Sequence, residues 1–93
     1  MNFSPKTAAE AAKNDLAARL NIDVNAVREL SLSDHDFPDM ALGCPVVGEM
    51  AAQMISSGWQ IKLGVEGNTY EYRADKYQLR LHNFEGKNYV IES

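Results

Sequence analysis

Three kinds of side chain in this sequence could do chemistry: one thiol, two imidazoles and a short run of carboxylates. Cys44 stands between Gly43 and Pro45. A nucleophilic thiol must be held as thiolate by a neighbouring base or cation. Only His35 and His82 offer an imidazole, and neither shares a nucleophile motif with it. Cys44 is therefore expected to be a small buried hydrophobe anchoring its segment, as most free cysteines are. Asp34-His35-Asp36, followed by Asp39, gathers hard oxygens and an imidazole in one stretch. A metal needs three or four such groups converging, whereas neighbours along an extended chain point apart. Turn chemistry accounts for the aspartates more simply, so no metal centre is expected. His82 alternates with Leu81 and is expected on the solvent side of a strand, beside Arg80.

Phosphate-cradling glycines, paired acid–base carboxylates and a Ser-His-Asp spacing are all missing from the sequence. No catalytic residue and no cofactor is assigned, and the reading leans away from an enzyme. Binding is the better use of what remains. Asp34 to Gly48 reads as a long irregular loop holding Pro38, Gly43, Pro45 and three aspartates, and loops of that length tend to be functional or mobile. Its candidate contact residues are Phe37, Asp39, Met40, Leu42 and Cys44, with Trp59 nearby in sequence. Met40, Met50 and Met54 flank the loop; core filling is their default role, although flexible thioethers also suit adaptable surfaces.

The elements that must position these residues are legible to differing degrees. Ser4-Pro5 signals a helix start, with Ser4 as N-cap and Pro5 in the first turn. From Lys6 to Leu20 the residues cost little in a helix, and Ala9, Ala12, Leu16 and Leu20 recur on one stripe. Asn21 suits the left-handed residue that ends a helix, with Ile22 folding back. Asp23 caps a single turn. Val27 to Ser33 alternates as a first strand, with Arg28, Leu30 and Leu32 on one face. Glu49 to Ile55 reads as a strand by the alternation of Met50, Ala52 and Met54.

Beyond that point period-two patterning dominates. Trp59, Ile61, Leu63 and Val65 form one strand face, Tyr70, Tyr72 and Ala74 the next, then Tyr77, Leu79 and Leu81, then Tyr89 and Ile91. Gly67-Asn68, Asp75-Lys76 and Glu85-Gly86-Lys87-Asn88 supply the turns. The fold class is α+β: an N-terminal helix packed on a mostly antiparallel β-meander, one domain spanning residues 1–93.

Composition narrows the partners. Hydrophobic residues make up 45% and charged residues 24% of the chain, typical of a globular domain and too apolar for disorder. A formal net charge of −4 with scattered lysines and arginines argues against nucleic acid. No stretch is long enough for a membrane span. One cysteine precludes a disulfide within the chain. Met1 to Lys6 lacks the apolar run of a secretion signal. A cytoplasmic setting is expected.

The run Phe37-Pro38-Asp39-Met40-Ala41-Leu42-Gly43-Cys44-Pro45, then Gly58-Trp59-Gln60-Ile61 and Tyr70-Glu71-Tyr72, resembles a family of small bacterial proteins of unassigned function. Its pattern is an aromatic-Pro-Asp-x-x-Leu-Gly-Cys-Pro loop, Gly-aromatic-x-Ile, then Tyr-x-Tyr-His. The likeness covers about residues 10 to 82. Phe37 stands where that family tends to have Trp, Met40 where it often has Gly, and Arg73 where it has His. Many of those relatives carry a second cysteine where this chain has Leu81-His82, so any disulfide they imply cannot form here. The resemblance implies a shared fold and carries over no catalytic residue. Gln53 to Trp59 also looks a little like the protease-wedging loop of a cystatin, although an extra Ser breaks the spacing. The sequence thus points to a non-catalytic protein-binding module, inhibitor-like in one version, acting through its 34–48 loop on an unidentified protein partner. A small-ligand binder or thiol-dependent enzyme centred on Cys44 is the alternative. A homodimeric structural protein is another; the chain is expected to be a monomer or weak homodimer.

Overall fold

The computed structural model describes residues 2–93. Helix α1 spans Pro5–Leu20 and opens on a reciprocal cap: Ser4 Oγ accepts from the Thr7 N–H, and Thr7 Oγ1 accepts from the Ser4 N–H. The pair satisfies two of the donors that a helix start leaves unpaired. Asn21 ends the helix in the left-handed region, and the Ile22 N–H then donates to Ala17 O, 3.0 Å away. Asp23 caps a single 3-10 turn over Val24–Ala26.

Five strands follow: β1 Arg28–Phe37, β2 Ser56–Val65, β3 Asn68–Ala74, β4 Leu79–Phe84 and β5 Lys87–Glu92. They form one open antiparallel sheet in chain order. The β2–β3 and β4–β5 turns each place two residues at positive φ, Glu66-Gly67 and Glu85-Gly86, the twist a two-residue hairpin requires. The α+β meander read from the alternation is the fold, with β1 added along the free edge of β2.

Helix α1 covers one face. Ala8, Ala9, Ala12, Leu16 and Ala17 meet Ile61, Leu63, Tyr72, Leu79 and Leu81 in a continuous core. Alanines on the helix stripe let it lie close to the sheet. A polar tie fixes its far end: Tyr72 Oη donates to Asp15 Oδ2 (2.7 Å), which also accepts from Arg19 Nε (2.8 Å). Arg19 in turn lies over the Tyr89 ring, 4.5 Å from its centre.

Several expectations need correction. Strand β1 runs four residues past Ser33, so Asp34 to Phe37 pair with β2 (Asp34 with Trp59, Phe37 with Ser56) and do not belong to a loop. A register shift between Glu29 and Ser31 breaks the alternation read for β1. Glu29 turns toward α1, 3.4 Å from Lys13 Nζ, and Leu30 is left half exposed. Residues 49–55 form neither strand nor helix. Tyr77 sits in the β3–β4 turn, 64% exposed, and not on the core face of β4. There Asp75 accepts from the N–H groups of Tyr77 and Gln78. At Glu29–Ser31 a bulge, and at Tyr77 the turn built on Asp75, override simple period two. Among the described residues, no helix is long and apolar enough to cross a membrane.

Candidate functional site

The second face of the sheet is covered by residues 38–55, an irregular segment that crosses it as a strap. Its shape follows from a few residues. Asp39 Oδ1 accepts from the N–H groups of Ala41 (2.9 Å) and Gly43 (3.0 Å), folding the chain into a tight knuckle. Leu42 and Gly43 there take positive φ, +58° and +66°. For leucine that conformation is costly, and burial offsets it: Leu42 packs with Phe37 and Cys44 in a second small core. Further on, the N–H of Glu49 donates to Val46 O, and Glu49 Oε1 accepts from the Val46 N–H, closing a turn with Gly48 at φ +82°. The two limbs meet where the Met40 N–H donates to Ala52 O at 3.0 Å.

An irregular segment on a sheet needs partners for its carbonyls. Four side chains supply them. Gln78 Nε2 donates to Met40 O (2.8 Å), Arg73 Nη1 to Leu42 O (2.9 Å), Arg80 Nη1 to Cys44 O (3.3 Å) and Asn88 Nδ2 to Pro45 O (2.9 Å). Arg80 also grips both oxygens of Glu49, and Arg73 Nε donates to Glu71, which accepts from Gln60 too. Arg80 is buried, contrary to the expectation of a solvated strand face. His82 beside it is half-buried, with Nδ1 enclosed and without a hydrogen-bond partner.

These pairings set the ionisation of the groups involved. The hydrogen bonds from Arg80 hold the Glu49 carboxyl down to about 2, against the opposing effect of burial. Burial raises Glu71, but Arg73 and Gln60 outweigh it and leave the group below its ordinary value. For Cys44 burial prevails: the thiol is pushed up to about 11 although Arg73 and Arg80 pull the other way.

The expected contact residues divide by location. Phe37, Leu42 and Cys44 lie under the strap and are buried, where they shape it. Asp39 is half-buried and engaged with backbone. Trp59 packs against the helix-side core, away from the others. Only Met40 stands at the surface, 41% exposed. The His35 ring lies against Phe37 at a tilt of 50°, with ring centres 4.7 Å apart, while Asp36 accepts from Ser57 Oγ. Strand alternation sends Asp34 and Asp36 to the face opposite His35, and among the described residues no group of three or more potential ligands is arranged for a metal ion.

Sequence reasoning missed the residues that dominate the outer surface. Met50, Met54, Val47, Ile55 and Tyr77 are all more than half exposed, so the methionines do not fill the core. Met40, Met54, Ile55 and Tyr77, with Lys76, line an open groove of about 280 Å³ between the strap and the β3–β4 turn. Val47 and Met50 project fully from the turn at the strap's other end. No sequence signal marks them, because polarity patterning does not show that the strap's inner side is bonded by Arg73 and Arg80 and its outer side left apolar.

No curated protein matches the chain, and no solved structure does. Residues 9–82, from within α1 through the strap and the sheet into β4, match the model of a domain of unknown function, DUF8738, and the chain belongs to that family.

Proposed function

We propose that this domain is a non-catalytic protein-binding module that engages a partner through the outer surface of the strap. The observation that carries the reading is the outward set Met40, Met54, Ile55 and Tyr77 around one groove, beside a strap limb whose carbonyls between Met40 and Pro45 are held from below by four side-chain bonds. Exposed apolar clusters on a fixed backbone mark contact surfaces, and little ordering is then left to be lost on binding. The Phe37 to Pro45 motif acts here as the strap's framework. The state of Cys44 weighs against a thiol-dependent enzyme, since a buried neutral thiol is a poor nucleophile. A reducing cytoplasmic setting and a monomeric or weakly dimeric state complete the proposal.

Affinity capture with the folded domain tests it. A partner retained by the parent and lost by Met54→Ser/Tyr77→Ser, with the thermal midpoint unchanged, supports the reading. Equal capture by both proteins, or none above control, removes it.

A further inference from the structure

Sulfur is distributed unusually in this molecule. Met40, Met50 and Met54 are 41%, 98% and 64% exposed, all on the strap, and among the described residues neither core cluster contains a methionine. The one thiol, Cys44, is fully buried beneath the same segment. The usual order of oxidation, thiolate before thioether, depends on an accessible thiolate. Here the accessible sulfurs are the thioethers.

We propose that the strap is a thioether redox switch, in which hydrogen peroxide converts Met40, Met50 and Met54 to sulfoxides and turns the docking surface polar while the fold stays intact. The inference rests on the docking reading above and adds its regulation. In each step the thioether sulfur attacks one peroxide oxygen. The O–O bond breaks, an S–O bond forms, and the remaining oxygen leaves as water. Sulfur is oxidised by two electrons and peroxide is reduced by two.

Sulfoxidation makes an apolar, flexible side chain polar. Met40 and Met54 line the groove, so both of its thioether contributions change at once. Neither change has a route into the core. The Met40 backbone is held at both ends, its N–H by Ala52 O and its carbonyl by Gln78, and the side chains of Met50 and Met54 are mostly in solvent. Burial also pushes the Cys44 thiol up to about 11, which keeps it neutral at pH 7 and adds to its steric protection.

The test is peroxide treatment of the folded domain at pH 7, followed by peptide mass mapping, a thermal melt and titration with anilinonaphthalene sulfonate as a probe of the groove. The expected result is oxygen on all three strap methionines and none on Cys44, with the midpoint moved by less than about 4 °C. Probe fluorescence falls severalfold and returns after treatment with methionine sulfoxide reductases. In Met40→Leu/Met50→Leu/Met54→Leu, peroxide leaves the probe signal at that variant's own starting level, whatever that level is. Oxidation of Cys44 before the methionines, loss of the fold on sulfoxidation, or a probe signal indifferent to it overturns the switch and leaves the docking reading standing. Loss of captured partner in Met54→Ser/Tyr77→Ser bears on the docking reading alone.

Discussion

Arg80 and Glu49, thirty-one positions apart in sequence, form a two-armed ion pair that joins the strap to strand β4. The guanidinium is almost wholly buried, with 5% of its side chain exposed, and it also holds Cys44 O. Removing one partner of such a pair strands the other in a poor dielectric. Glu49→Gln is expected to cost about 2 kcal/mol in urea unfolding. The double change Glu49→Met/Arg80→Met is expected to cost less than the sum of its singles, since neither charge is then stranded. Additive singles would mean that the pair is not coupled.

The same pair makes the domain acid-sensitive in a defined window. Glu49 is held down to about 2 from an ordinary value of 4.5, so the folded state binds its proton more weakly than the unfolded state. Its contribution is complete above about pH 4.5 and is lost as pH falls toward 2. Glu71, also lowered, acts in the same direction. Urea midpoints measured from pH 7 to pH 2 should fall more steeply for the parent than for Glu49→Gln. Parallel curves would exclude Glu49 as a source of the acid loss.

Cys44 reports whether the strap is closed. Its thiol is buried and pushed up to about 11, so labelling by a disulfide reagent at pH 8 must wait for the segment to open. A 2 kcal/mol loss at the Arg80–Glu49 pair then predicts labelling faster by roughly 30-fold in Glu49→Gln, if opening precedes reaction. A parent thiol that labels as fast as a free cysteine would place Cys44 in contact with solvent.

The helix side of this fold was legible because burial there follows simple periods. Ala9, Ala12 and Leu16 on α1, and Ile61, Leu63, Tyr72, Leu79 and Leu81 on the strands, are core residues as their spacing implies. The strap side was not. Gln60, Glu71, Arg73, Gln78 and Arg80 alternate with the apolar residues and read as a solvated face. In the folded chain they form a polar layer between sheet and strap. Polarity patterning separates apolar from polar positions, but it does not separate a polar side chain in water from one bonded to buried carbonyls. The same limit misplaced the methionines. Leu42 at φ +58° could not be anticipated either, because its conformation is set by Asp39 and the small core around Phe37.

The close approach of β3 to Gly58 gives the sharpest prediction. A Cβ at position 58 would lie 2.1 Å from Ala74 O and 3.2 Å from Asp75 Cα, far inside contact distance, and both obstacles are backbone. Gly58→Ala therefore forces the end of β3 outward. Asp75 moves with it, and Asp75 accepts from Ser56, Tyr77 and Gln78, while Gln78 holds the strap at Met40 O. One methyl group thus disturbs the sheet, the β3–β4 turn and the groove together, at an expected cost above about 3 kcal/mol. Gly48→Ala is the matched control. It also adds one methyl group, but nothing lies within 4 Å of its Cβ, and only the positive φ of +82° opposes it, a cost of about 1 kcal/mol. Urea unfolding of the two variants side by side distinguishes crowding from backbone strain. Equal losses would mean that β3 does not approach Gly58 as closely as its carbonyl position requires.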